Sequence, residues 1–314
     1  MTEQARQVDP AKDAAAGERR GRLQADGALV LLTVLWGTTF VVVKDALSHG
    51  DPFSFLALRF GMGALVLSLL TGRRMLSPVH LRRGALLGVF LFAGFALQTT
   101  GLTDTTPARS AFFTGLYVLL VPIVVVAMFR RVPRVASLLG VVLSAVGLYF
   151  LTRPDVGSES GLSRGDLLTL GCAVAYAFHI TLTERYAPRE DVGALVAVQL
   201  WVVALLSLLC LPFVEARVAW TPAFLGAVAF CGVIASALAL SVQTWAQART
   251  SAVRAGIIFS LEPVFAGAFS VVLGYETLGA REWVGGAFIF LGVLVSEVGS
   301  ALWARLRGLA PARS

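Results

Sequence analysis

Charged residues are scarce in this chain, where they make up 14% of the sequence, whereas soluble domains contain about 25%. Hydrophobic residues account for 57%. So little charge beside so much apolar surface excludes an ordinary soluble domain and indicates a membrane protein.

Further absences narrow the function. The chain has no G-x-x-x-x-G-K-[ST] motif, so direct use of ATP is not expected. Its three cysteines, Cys172, Cys210 and Cys231, lie in apolar stretches without metal-ligand spacing, and we predict no disulfide, metal or cofactor. The net charge of +7 comes without a basic patch interleaved with aromatics, so nucleic acid is not an expected partner.

The first 25 residues are polar, of mixed charge and without an apolar core. A cleaved signal peptide would need such a core. We therefore predict that residues 1–25 form a disordered cytoplasmic tail.

Ten apolar runs follow, each long enough to cross a hydrocarbon layer of about 30 Å. The runs lie near residues 27–46, 52–71, 82–101, 107–129, 134–152, 165–184, 191–213, 221–242, 251–274 and 281–303. The connections are short and leave no room for a soluble domain. The sequence thus predicts an all-α integral membrane protein with ten transmembrane helices.

Arginine and lysine set the expected orientation, because they are enriched in cytoplasmic segments. With a cytoplasmic N-terminus, 18 of these residues fall in inner segments and 6 in outer ones. We therefore expect a multi-pass protein of the cell (inner) membrane with both termini in the cytoplasm. This bias also accounts for the positive net charge.

The two halves of the chain contain similar residues at a nearly constant offset. An offset of 140 aligns Asp26 with Asp166 and Trp36 with Tyr176. At an offset of 141, Ser110, Gly115 and Pro122 align with Ser251, Gly256 and Pro263, and Gly140 and Gly147 match Gly285 and Gly292 further on. Five spans per half is an odd number, so the second half is inverted relative to the first. We predict two inverted five-helix repeats, residues 26–152 and 165–303, a linker 153–164 and a cytoplasmic tail 304–314.

Glu262 and Pro263 stand side by side within the apolar stretch Ser251–Glu276. Proline removes a backbone donor and opens a helix, and interrupted helices at matching places in two halves indicate a transporter's binding site. Pro122 and Pro263 are therefore predicted helix breaks. A carboxyl group at this depth should face protein or water, and we hypothesise that Glu262 binds a proton or a cationic group.

Polar and aromatic residues within the spans fall on stripes at helical spacing, which predicts an internal cavity that binds a small solute. The predicted cavity residues are Trp36, Phe40, Gln98, Tyr117, Tyr176, His179, Gln243 and Glu262.

Other interpretations stay open for several of these residues and for two arginines. Trp36 and Tyr176 also suit packing or interfacial positions, and His179 suits a hydrogen-bonded core. Arg59 and Arg254 are charges within spans. For Arg59 we expect a carboxylate partner or contact with the interface, and for Arg254 contact with the cytoplasmic interface.

Several motifs together resemble the drug/metabolite transporter superfamily, EamA type. They are WGTTFVVVK at 36–44, LALRF at 56–60, GLYVLLVP at 115–122, SLEPVFAGAFSVVLGYETL at 260–278 and GGAFIFLGVLV at 285–295. The resemblance implies a ten-span fold and transport, often export, of amino acids, nucleosides, other metabolites or toxic cations.

We accordingly predict a secondary transporter, in the direction of efflux, that moves a small organic solute by alternating access. Its expected partners are that solute and the lipid bilayer, and it acts as a monomer or homodimer. A lipid or polyprenyl-linked flippase is the alternative within this class. A membrane-embedded enzyme is the alternative outside it, although His179 and Glu184 do not form an H-E-x-x-H motif and we predict no catalytic residue.

Overall fold

The computed structural model describes residues 10–152, 163–272 and 279–306, which are mostly helical. The α-helices of this part are α1 (Pro10–Ala46), α2 (Pro52–Thr71), α3 (Pro78–Gly101), α4 (Pro107–Gly115), α5 (Tyr117–Phe129), α6 (Val135–Thr152), α7 (Arg164–Tyr186), α8 (Val192–Cys210), α9 (Pro222–Ala229), α10 (Ala239–Gln247), α11 (Ala252–Phe259), α12 (Glu262–Val272) and α13 (Ala280–Leu306). A π-helix, Phe230–Leu238, joins α9 to α10.

Side-chain caps explain why the helices start where they do. The hydroxyl or carboxylate oxygen of the residue before the helix accepts backbone N–H groups of the first turn. The residues that cap in this way are Asp51, Ser77, Thr106, Ser163, Asp191, Thr221 and Ser251. These caps satisfy first-turn amides that would otherwise lack partners.

Eight helical segments of the described residues are long and apolar enough to cross a membrane. They are Arg19–Ala46, Pro52–Leu76, Pro78–Gly101, Arg109–Phe129, Arg164–Arg189, Val192–Phe213, Pro222–Gln247 and Ala252–Phe269. Leucines on their outer faces are exposed, Leu31 to 71% and Leu69 to 86% of their full surface, as expected for contact with lipid. The protein is therefore a multi-pass membrane protein. The other two predicted spans correspond to a shorter apolar helix, Val135–Phe150, and to α13.

The predicted tails and linker need correction where the structure describes them. Residues 10–25 are not disordered, because α1 begins at Pro10; alanine, arginine, glutamate and glutamine favour a helix there. The predicted C-terminal tail begins inside α13, which ends at Leu306. Residues 1–9, 307–314 and most of the linker, 153–162, lie outside the described residues.

Helix packing brings early and late parts of the chain together. Helix α2 packs on α8, α3 on α7 and α8, α1 on α12 and α10, and α6 on α13. Glycines allow the closest of these contacts: a Cβ atom at Gly140 would lie 2.8 Å from the carbonyl oxygen of Gly292, and one at Gly147 would lie 2.6 Å from that of Gly285. Such small residues let helix backbones touch in a membrane.

Candidate solute-binding cavity

Two spans are interrupted near their middle. The helix that ends at Phe259 resumes at Glu262, so the break covers Ser260 and Leu261. Pro263 follows in the first turn of α12, where its missing N–H costs nothing. The break predicted at Pro263 therefore lies immediately before that residue.

The break predicted at Pro122 is displaced. Pro122 lies inside α5, and the interruption is at Leu116. A proline crowds the carbonyl four residues earlier, here that of Val118. The preceding turn tightens, since the amides of Leu116 and Leu119 bond to carbonyls three residues back, at 3.3 Å and 3.0 Å.

The caps also correct the predicted alignment of these spans. Thr106 and Ser251 cap α4 and α11 and are 145 positions apart, one helical turn more than the predicted offset of 141. At the spacing of these caps, Pro122 and Pro263 are offset from each other by about one helical turn. At this spacing Tyr117 matches Glu262, and each is the first residue after its break.

A cavity with about 540 Å³ of empty space lies beside both breaks. Seven of its lining residues come from before residue 152 and seven from after residue 164. They are Trp36, Thr39, Arg59, Leu91, Phe95, Gln98, Tyr117, Tyr176, His179, Ile180, Leu240, Gln243, Phe259 and Glu262.

The structure brings together all the predicted cavity residues except Phe40. Phe40 is buried against Ala111 and Ala266 instead, and its neighbour Thr39 lines the cavity with Trp36. Successive helical residues point about 100° apart, so Thr39 and Phe40 face different neighbours. That the lining residues bind a solute stays a prediction.

Arg59 is a lining residue that we expected to pair with a carboxylate or to reach the interface. It does neither: its side chain is only 2% exposed and its Nε donates to Ser236 Oγ at 2.9 Å. The guanidinium carbon lies 4.8 Å from the centre of the Phe95 ring, within the range of a cation–π contact.

Polar lining residues are anchored by hydrogen bonds. Trp36 Nε1 donates to the carbonyl of Ala235 in the π-helix at 3.1 Å. His179 Nε2 lies 2.8 Å from Gln199 Oε1 and donates to it, which fits the core-histidine interpretation as well as a cavity role. Gln98 donates to Thr114 and Gln243 to Gln247. These bonds fix the orientation of the cavity wall.

Aromatic rings form most of the remaining wall. Trp36 packs against Phe259 with ring centres 5.5 Å apart, and Phe259 lies 6.5 Å from Tyr117. On the other side Phe95 lies edge-on to Tyr176 at 5.5 Å. The Tyr117 hydroxyl lies beside the Glu262 carboxyl group.

The sequence did not predict a cavity position for Arg59 or for six other lining residues, Thr39, Leu91, Phe95, Ile180, Leu240 and Phe259. Apolar residues in an apolar run carry no signal that separates a cavity wall from a lipid face. Phe95 is the exception, because it stands three residues before Gln98 and therefore on the same helix face.

We expected Arg254 to contact the cytoplasmic interface, but it forms an ion pair with an aspartate. Its Nη2 lies 2.8 Å from Asp26 Oδ2, and both side chains are nearly buried. A second arginine, Arg109, forms an ion pair with Asp166. These two pairs lie outside the cavity.

A multi-pass helical bundle with interrupted spans around a polar and aromatic cavity defines a protein of the membrane-transporter class. The model of the EamA-like transporter family matches residues 24–153 and 163–297. The chain belongs to this family, which confirms the resemblance inferred from its motifs.

Individual relatives agree. An uncharacterized transporter of Archaeoglobus fulgidus is 32% identical over 275 residues, which cover 87% of this chain and 86% of the relative. The uncharacterized inner membrane transporter YedA of Escherichia coli K12 is 24% identical over a match that covers 86% of this chain and 90% of the relative. YvbV of Bacillus subtilis, an uncharacterized transporter, is 26% identical over 67% of this chain and 70% of its own. These are names of transporters rather than enzymes.

A solved crystal structure has a similar fold. It superimposes with a TM-score of 0.74 at 22% sequence identity, covering 88% of this chain and 96% of that chain. At this identity the likeness concerns the fold.

Proposed function

We propose that the protein is a secondary transporter that exports a small organic solute from the cytoplasm by alternating access. In this proposal ten spans form two inverted five-helix repeats, residues 26–152 and 165–303, and both termini lie in the cytoplasm. The membrane-transporter class is given by the family; the direction, the mechanism and the solute class are the proposal.

The central cavity is the observation that carries this function. About 540 Å³ of empty space, part of it open to solvent, lies among its aromatic and polar side chains, which is the kind of lining that small-molecule sites have. It is lined equally from both halves of the chain and contains Glu262 at a helix break.

Matching contacts support the repeat. Gly140 and Gly285, like Gly147 and Gly292, stand 145 positions apart. Each member of one pair packs on a member of the other, Gly140 on Gly292 and Gly147 on Gly285, between α6 and α13. A two-fold axis in the membrane plane would produce this pattern. The lining pairs Trp36 and Tyr176, and Gln98 and Gln243, stand at similar separations.

Glu262 is proposed to bind a proton or a cationic group during the cycle. It is 9% exposed and faces the hydroxyl of Tyr117, with Tyr176 and Cys172 as the other titratable groups around it. A carboxyl group in this setting needs such a partner whenever it is ionised.

Reconstituted vesicles test the proposal. Vesicles that contain the protein are loaded with a mixture of amino acids, nucleosides and organic cations, and efflux is followed by mass spectrometry. We expect at least one solute to leave faster than from empty vesicles, and Glu262→Gln to slow this efflux about tenfold or more. Leu69→Ala, on the outer face of α2, is the matched control and should leave efflux unchanged.

The same vesicles separate the alternatives. Movement of a fluorescent phospholipid between leaflets, without efflux of any solute, would replace the transporter by a lipid flippase. Chemical conversion of a solute would favour a membrane-embedded enzyme. Efflux by Glu262→Gln as fast and as pH-dependent as that of the unmodified protein would refute the role of Glu262.

A further inference from the structure

His80, in the first turn of α3, lies between two hydrogen-bond acceptors. Its Nδ1 is 2.8 Å from the backbone carbonyl oxygen of Arg74, in the connection between α2 and α3. Its Nε2 is 3.0 Å from Oε2 of Glu190, in the connection between α7 and α8. The His80 side chain is only 14% exposed and that of Glu190 only 5%. The histidine thus bridges a connection in the first half of the chain and one in the second.

Both ring nitrogens of His80 need a proton to satisfy these contacts. A carbonyl oxygen and a carboxylate only accept hydrogen bonds, whereas a neutral imidazole has one N–H. The Ser77 hydroxyl, 2.8 Å from Nδ1, can donate to that nitrogen in the neutral ring, but the carbonyl oxygen of Arg74 then faces the same lone pair. The geometry therefore fits the imidazolium form.

The titratable and charged side chains around His80 are those of Arg74, Arg83, Tyr186, Glu190 and Asp191. Arg83 forms an ion pair with Glu190, and Arg74 Nη1 lies 2.9 Å from Asp191 Oδ2. Among these residue types, histidine is the one that ordinarily changes its charge between about pH 5 and 8. His80 is therefore the group through which a proton can strengthen or weaken the bridge.

The junction at the opposite side of the bundle is joined in another way. Asp51 stands 140 positions before Asp191, and both cap a helix. Asp51 Oδ2 accepts the backbone N–H of Arg217 at 2.9 Å, and its own N–H donates to the Arg217 carbonyl at 2.9 Å. The N–H of Ala219 donates to the carbonyl of His49 at 2.7 Å. These bonds use backbone groups and need no protonated histidine.

We propose that His80 is a proton-binding site, separate from the cavity, that holds the α2–α3 and α7–α8 connections together while it is charged. Both of its bonds are present below the pH at which the imidazolium loses its proton, and one is lost as the pH rises above that value. In the proposed orientation both connections lie on the cytoplasmic side, so a rise in cytoplasmic pH makes this side easier to open.

Distances between spin labels test the proposal on the full-length protein in lipid nanodiscs. The labels are attached to cysteines that replace Arg73 and Arg189, one exposed residue in each connection, after Cys172, Cys210 and Cys231 are changed to serine. We expect double electron–electron resonance to show mainly a short distance at about pH 5. At about pH 8 the population with a longer distance should be about fivefold larger, because a hydrogen bond of a charged group is lost.

Two substitutions at His80 should have opposite effects. His80→Lys keeps a positive charge beside Glu190 and should hold the short distance at both pH values, whereas His80→Gln carries no charge and should show the longer distance at both. His49→Gln is the matched control. His49 lies at the opposite junction, with its Nδ1 3.2 Å from the carbonyl oxygen of Asp45, and its loss should leave the pH dependence unchanged.

Two results would overturn the proposal. One is a distance that does not change with pH when His80 is present, and the other is a pH dependence that survives in His80→Gln. A pH dependence that is kept in His80→Gln but lost in Glu262→Gln would assign the proton to the cavity instead. The measurement uses no solute, so its outcome is independent of whether solute efflux is observed in vesicles.

Discussion

The two ends of the bundle are tied by matching residues but to different extents. One end, which we call the Asp166 end, contains Thr105, Arg109 and Asp166. The Asp26 end contains Thr250, Arg254 and Asp26. The threonines and the arginines are each 145 positions apart and the aspartates 140. About 27 Å of helix α1 separates Asp26 from Lys44, whose Nζ donates to carbonyls of Leu102 and Thr105 at the Asp166 end.

Asp166 is completely enclosed in a hydrogen-bond network. It accepts from Thr105 Oγ1 at 2.9 Å, from Arg109 Nε at 3.1 Å and from the backbone N–H of Ser163 at 2.9 Å. A further bond from Arg109 Nη2 makes the arginine contact bidentate, the strong form of this pair. The carboxylate therefore joins the start of α7 to that of α4.

Asp26 takes part in fewer hydrogen bonds of good geometry. Arg254 approaches it to 2.8 Å, yet among the described residues neither carboxylate oxygen accepts a hydrogen bond of good geometry. Thr250, which stands 145 positions after Thr105, faces Asp26 with its buried hydroxyl but without a hydrogen bond of good geometry. Among the described residues the Asp26 carboxylate thus accepts fewer well-formed hydrogen bonds than the Asp166 carboxylate. In the proposed cycle the Asp26 end faces the cytoplasm.

Locking either end covalently should have the largest effect on solute efflux. Cysteines are placed at Arg109 and Asp166, or at Asp26 and Arg254, after Cys172, Cys210 and Cys231 are changed to serine. If both ends must open in turn, a short bifunctional thiol reagent should reduce solute efflux from vesicles to background with either pair. Each single-cysteine variant treated with the same reagent is the control.

The two locks should differ in which side reaches the cavity. Thr39→Cys reports this through its labelling by a membrane-impermeant maleimide. With the Asp166 end locked, labelling should occur from the cytoplasmic side, and with the Asp26 end locked, from the outside. Labelling from both sides with either lock, or unchanged efflux, would contradict alternating access.

Removing the carboxylates should show the difference in stability. Asp166→Ala leaves four donor groups without an acceptor and should cost about 3 kcal/mol, since loss of one partner of a buried pair costs about 3–5 and Arg109 is partly exposed. Asp26→Ala should cost about 1 kcal/mol, because Arg254 lies one turn from its helix start and can extend to water.

Thermal melts in one detergent at one scan rate measure this difference. They should show a shift near 6 °C for Asp166→Ala and near 2 °C for Asp26→Ala, at roughly 2 °C per kcal/mol. Asp104→Ala, whose pair with Arg164 spans 3.8 Å on an exposed surface, is the control and should shift the melt little. A larger shift for Asp26→Ala would reverse the ranking of the two ends.

Polar residues within apolar runs were the part of the site that the sequence could predict. A Glu262 or a Gln98 inside a span has few positions it can occupy other than a protein interior or a cavity, and both line the cavity. The apolar wall could not be predicted, because Leu91 and Leu240 resemble lipid-facing leucines in sequence.

Pairings between distant residues were also beyond the sequence. The alignment of Asp26 with Asp166 was visible, but the arginine partner of each stands 57 or more positions away and comes close only through folding. The helix breaks were misplaced in one span for a similar reason. Proline marks where a helix weakens, while the caps at Thr106 and Ser251 fix the register of each piece.

The smallest expected effect isolates one hydrogen bond at each end. Thr105→Val removes the donor to Asp166 Oδ1 and should lower stability by about 1 kcal/mol, the usual net value of such a bond. Thr250→Val removes a buried hydroxyl that faces Asp26 without a hydrogen bond of good geometry, so it should cost clearly less than Thr105→Val. The two changes are chemically identical and occur at matching positions, so each serves as the control for the other. Equal shifts in the thermal melt would show that the two threonines are equally bonded and that the ends do not differ in this contact.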